Sequence, residues 1–223
     1  MSLPPTKAAA LPQIVTPRGT LVSVSDHDRL WLLRAVEAEG EPRDQIAQTL
    51  VNRWAWLFDE TPGKYLTLSE LVRAYAQPVN PAWYPDGKLF LKALDDLPEH
   101  EKAGAMVRAR ARRDVHSTRT TFSDATTRAV NQALYGPITL PPGALHFAAP
   151  SIERDDLPVL VPSTDARTNV IYGEARGRGA NARYSVAPER RTSPPARASR
   201  TGQVLALVTL GLGVGFGIAR LSK

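Results

Sequence analysis

The stretch Ser25-Asp26-His27-Asp28-Arg29-Leu30-Trp31-Leu32-Leu33-Arg34-Ala35-Val36-Glu37-Ala38-Glu39-Gly40-Glu41-Pro42 decides how the chain is read. Ser25 and Asp28 have the spacing of a capping box, which opens a helix running to about Glu39. Leu30, Leu33 and Glu37 recur at i, i+3 and i+7, so a carboxylate stands where an amphipathic helix keeps an apolar side chain. A carboxylate facing a core is costly to ionise, and the raised pKa that follows suits a general acid near neutral pH. The competing reading frays the helix after Val36 and leaves Glu37 in solvent.

Working outward, Ile46, Leu50, Trp54 and Leu57 repeat at helical spacing and predict a second amphipathic helix. Thr67 and Glu70 form another capping-box pattern, opening a third helix with Leu68, Leu71, Val72 and Tyr75 that Pro78 and Pro81 stop. A further helix is expected from Pro98 to about His116, with Ala103, Met106, Val107 and Ala111 inward and Arg108, Arg110, Arg112 and Arg113 on a solvated face. A last one runs from Ser123 to Tyr135. Between them the loop Asn80 to Gly87 carries Trp83 and Tyr84, whose rings suit the flat faces of sugars or, equally, a lid over the core.

The run Glu37-Ala38-Glu39-Gly40-Glu41-Pro42 resembles the Glu-Ala-x-Gly-Glu-Pro signature of the spore-cortex-lytic type of bacterial and phage cell-wall hydrolases. Three further stretches follow in that family's order: Val51-Asn52-Arg53, Tyr75-Ala76-Gln77-Pro78-Val79-Asn80-Pro81-Ala82-Trp83, and Pro142-Gly143-Ala144-Leu145-His146-Phe147. The resemblance covers roughly residues 28 to 150. It implies a small lysozyme-like helical domain that cuts the glycan strand of peptidoglycan, with Glu37 as acid/base. In that family the loop holding His146 borders the cleft, which implies sugar hydrogen bonds from His146 and Gln77, although a histidine satisfied inside a tight loop is the favoured reading of His146. Trp83 and Tyr84 are the candidate sugar platforms, and Glu41, following Gly40, can turn back toward the substrate. One clear acid favours a lytic transglycosylase, which splits the bond between N-acetylmuramic acid and N-acetylglucosamine and closes a 1,6-anhydro ring. A muramidase would need a second carboxylate. The chain departs from the family in a shorter interval between Pro42 and Asn52 and in a charged insert from Leu89 to Thr127.

Composition narrows the alternatives. With 223 residues and no Cys, the chain is long enough for one ordinary domain plus appendages and has no thiolate metal site. His27, His100, His116 and His146 form no helical ligand pair, and neither a nucleophile elbow nor a phosphate-binding glycine loop occurs. No metal or organic cofactor is therefore expected. The net charge of +6 is uneven: residues 167–203 hold eight Arg and no Lys against two Glu, which leaves residues 1–166 slightly acidic.

The expected organisation is mainly α. Residues 1–20 form a flexible proline-rich arm without a secretory signal, 21–150 the peptidoglycan-cleaving domain, and 151–203 a disordered Arg/Pro-rich linker with a short strand or two around Leu157 to Val161. Residues 204–221 follow as a marginal C-terminal transmembrane anchor. Gly211/Gly215 and Gly213/Gly217 are small-residue pairs that suit self-association of that helix, and the basic linker suits nucleic acid or anionic lipid. These pieces predict a virion-associated enzyme, held on an internal membrane or delivery conduit and brought to the inner membrane and periplasm of the host during genome delivery. The alternative is a catalytically inactive, membrane-anchored structural protein of a phage particle or conduit.

Overall fold

The computed structural model describes residues 11–141, 143–149, 151, 157–164, 168–173 and 185–186, in which the chain is mainly helical. Strands β1 (Gln13–Val15) and β2 (Leu21–Ser23) lead into α1 (Asp26–Glu39), α2 (Arg43–Glu60) and α3 (Leu68–Tyr75). Two 3-10 turns, Gln77–Val79 and Pro81–Trp83, precede α4 (Lys88–Asp95), α5 (Glu99–Thr118) and α6 (Asp124–Tyr135). Strands β3 (His146–Ala148), β4 (Val159–Val161), β5 (Val170–Tyr172) and β6 (Ser185–Val186) complete the order. They form two small antiparallel sheets, β2-β1-β6 and β3-β5-β4.

Both expected capping boxes are present. Ser25 Oγ accepts the Asp28 amide at 3.1 Å while Asp28 Oδ2 accepts the Ser25 amide at 3.0 Å, and Thr67 and Glu70 do the same for α3. Asp28 is buried, and its other oxygen accepts the Ser69 amide at 2.8 Å, so one carboxylate ties the starts of α1 and α3 together. Burial works against the charge, but the hydrogen bonds from Ser25 and Ser69 outweigh it and hold the Asp28 carboxyl below its ordinary value. Asp28→Ala strands these amides and is expected to cost about 2–3 kcal/mol in urea unfolding at pH 7, with Asp28→Asn recovering part of the loss.

Helix α1 is the centre of the molecule. Its residues Trp31 to Val36 are all buried, because α2, α3, α5 and α6 pack around it. The pairing of α2 with α6 supplies the largest helix–helix contact, around Ile46, Leu50, Trp54, Val130 and Leu134, all of them 0–1 % exposed. Gly40 ends α1 at φ +87°, a backbone region that a side chain disfavours.

Two expected boundaries are corrected. The end of the proline-rich arm belongs to the domain: Ile14 is fully buried, β1 pairs with β2, and Thr16 Oγ1 and the Arg18 amide donate to Asp59 of α2 at 2.9 and 2.7 Å. Part of the expected linker is also folded. β5 pairs with both β3 and β4, buries Ile171 against Leu140 and Ala144, and lies beside Asn169, whose amide donates to Glu41 O at 2.9 Å. Asn169 Nδ2 reaches Glu39 O at 3.4 Å as well, so this segment satisfies carbonyls left open where α1 ends. β4 falls where a short strand was expected around Leu157 to Val161, whereas β5, only three residues long, was concealed by the surrounding composition. Among the described residues no helix is long and apolar enough to cross a membrane, and the expected anchor at 204–221 lies outside them.

Candidate functional site

Three of the stretches singled out in the sequence converge. From α2, Asn52 Nδ2 donates to Ala144 O at 2.8 Å, and Arg53 Nη1 reaches Leu145 O at 3.1 Å and the His146 ring. Tyr75 Oη lies 3.3 Å from His146 Nδ1 and accepts the Phe147 amide at 3.3 Å. His146 is 8 % exposed and held by these partners within the 144–147 loop. The loop-satisfied reading of that histidine is the one that fits.

Glu37 and Glu39 end α1, and both face α5. Glu37 Oε1 pairs with Arg119 Nη1 at 3.0 Å, and its Oε2 accepts Ser123 Oγ at 2.8 Å and the Ser123 amide at 3.3 Å. Its side chain is 16 % exposed. The expectation of a raised pKa is overturned here. Burial pushes the Glu37 carboxyl up, but hydrogen bonds from Thr126 and Ser123 together with the Arg119 charge outweigh burial and hold it below its ordinary value. The helical spacing was read correctly. Because α1 is buried on all sides, however, the face of Glu37 leads to the polar α5–α6 junction and not into apolar core.

Glu39 shows the opposite behaviour. Burial pushes its carboxyl up to about 7, with Arg112 and the Gln77 backbone amide opposing. His116, near Glu37, is driven down to about 4 by burial and by Arg119 and Arg112, with Glu37 opposing. Its Nδ1 is buried and meets no hydrogen-bond partner among the described residues. Arg112, His116 and Arg119 recur at i, i+4 and i+7, so one stripe, α5 with its C-cap Arg119, spans both acids. That spacing was visible in the sequence, whereas its target was not. The expected inner face of α5 is corrected with it: Ala105 and Ala109 are buried, Val107 is 65 % exposed, Ala103 and Ala111 are exposed, and Arg112 and Arg113 turn partly inward.

A stability prediction follows from Glu39. Its unfolded value lies near 4.5 and its folded value near 7, so its contribution is fully present below 4.5 and is lost as pH rises through 7. Glu39→Gln, neutral throughout, is expected to gain about 1–2 kcal/mol on wild type between pH 5 and pH 8, allowing for partial exposure. Urea unfolding at the two pH values reads this directly. An equal difference between the two proteins at both would contradict it.

The remaining expected cleft residues disperse. Glu41 is exposed and paired with Arg43, beside an open depression lined by Asp44, Arg128 and Gln132, and its carbonyl serves Asn169. Gln77 is exposed, and its backbone amide faces Glu39. Trp83 and Tyr84 are half-buried, with Tyr84 Oη donating to Val79 O at 3.2 Å. Among the described residues no group of three acidic or histidine side chains is placed to hold a metal ion. In comparisons with known proteins no family model matches this chain, and no curated protein or solved structure gives a significant match.

Proposed function

We propose that the chain cleaves the glycan strand of peptidoglycan between N-acetylmuramic acid and N-acetylglucosamine, as a lytic transglycosylase of lysozyme-like design. The observation that carries this reading is the pair Glu37 and Glu39, two part-buried carboxylates on one helix end whose surroundings push their proton affinities apart. Glu39 keeps its proton to about pH 7 and donates it to the departing glycosidic oxygen. Glu37 is ionised, faces the positive charge that develops on the sugar ring, and accepts the proton of the muramic 6-hydroxyl as that oxygen closes on C1. The C1–O bond breaks, the 1,6-anhydro bond forms, and the proton count balances without cofactor. A glycan-strand cut that used water instead would leave a reducing end.

The Arg119–Glu37 ion pair favours a second reading, an inactive structural protein in which the basic stripe at α5 neutralises the acids permanently. Muropeptide release from purified peptidoglycan decides between the two, with both glutamates needed under the first and nothing released under the second. Attachment to a membrane or a phage particle rests on residues 204–221. Recovery of the full chain in virions or membranes, lost on deleting that segment, tests it.

A further inference from the structure

One turn before Glu37 on α1 lies a group of cations that the cleavage chemistry does not use. Arg34 is 9 % exposed and donates Nε to Arg119 O at 3.0 Å. Its guanidinium lies 4.6 Å from the centre of the Trp31 ring, and that of Arg73, from α3, lies 4.7 Å from the same ring. Arg34, Arg73 and Arg113 all act on the Tyr84 hydroxyl, beside Ser117. Among the described residues no carboxylate lies within ion-pair distance of Arg34 or Arg73, and Arg113 has only its exposed neighbour Asp114, at 2.9 Å. Burial raises the Tyr84 hydroxyl further from ionisation, so the phenol supplies no counter-charge. Arg34 is buried, whereas Arg73 is exposed and the Arg113 side chain is 39 % exposed, so the cluster opens to solvent on one side, where planar forks of this kind match a carboxylate in a two-pronged hydrogen bond.

We propose that Arg34, Arg73 and Arg113, gathered around Tyr84, form a site for a carboxylate of the peptide stem on the muramic residue, so that the chain selects peptide-bearing over denuded glycan. The proposal rests on the glycan-cleaving reading above. A nucleic-acid backbone fits the cluster less well: the charges converge on one point instead of forming a stripe, Glu37 and Glu39 stand beside them, and residues 1–166 are slightly acidic.

The test is calorimetric titration of the full chain with a purified disaccharide-tetrapeptide and with the same disaccharide after its stem has been removed. The tetrapeptide form is expected to bind at least tenfold tighter, and that ratio is expected to collapse toward one in Arg73→Gln/Arg113→Gln, with thermal melting as the check on folding. Equal affinities for the two ligands in wild type, no binding of either, or a ratio unchanged in the folded variant overturns the proposal. So does salt-steep binding of a 20-nucleotide DNA duplex that the same variant abolishes. Since binding is read without turnover, stem-dependent binding with no released product refutes cleavage and leaves this site standing, whereas cleavage without stem preference does the reverse.

Discussion

Glu39→Gln is expected to lower muropeptide release from purified peptidoglycan by about 10²–10⁴-fold, the range for losing a positioned general acid. Glu37→Gln is expected to lose about 10²–10³-fold, because a neutral amide neither faces the charged sugar ring nor accepts the 6-hydroxyl proton. The pH profile separates their roles. Activity requires Glu39 protonated and Glu37 ionised, so the alkaline limb falls near pH 7 and the acid limb lies below the ordinary glutamate value of 4.5. Arg119→Ala removes the positive charge that, beside the Thr126 and Ser123 hydrogen bonds, depresses Glu37, and is expected to move only the acid limb, upward. Full activity in Glu39→Gln beside a dead Glu37→Gln would mean that Glu37 cycles alone as acid and base.

Trp54→Ala is expected to destabilise the chain by about 3–5 kcal/mol, the largest stability effect of any single change considered. Trp54 is 1 % exposed, stands edge-on to Phe58 at 6.1 Å between centroids, and belongs to the cluster that joins α1, α2, α3 and α6. Its loss leaves a cavity that its own helix and the three packed around it cannot close together, and for a chain of this length the melting temperature is expected to fall by roughly 10 °C. Trp54→Phe keeps most of the volume and is expected to cost less than half as much. Near-equal melting temperatures for wild type and Trp54→Ala would contradict this packing.

Capping boxes and long apolar periodicity are local, and they were legible: Ser25/Asp28, Thr67/Glu70 and the Ile46–Leu57 stripe all appear where their spacing put them. Helix α4 was not legible, since its eight residues carry no side-chain cap and none of them is buried. Apart from β4, expected around Leu157 to Val161, the short strands were not legible either, since their order depends on partners far away in sequence: β1 on β6, and β3 on β5. At the site, the position of Glu37 on a buried helix was readable, whereas its charge state was not. That state depends on Arg119 and Ser123, more than eighty residues away at the junction of two helices that were each expected but whose approach to α1 was not. For Glu39 the spacing did not show the burial that raises its carboxyl, against the opposing Arg112 charge and Gln77 amide.

The most direct test of the central claim is incubation of the full chain with purified peptidoglycan at pH 6, followed by mass spectrometry of the soluble products. 1,6-Anhydromuropeptides are expected to accumulate with time and to disappear in both Glu37→Gln and Glu39→Gln. Soluble products equal to those of an enzyme-free control would contradict it.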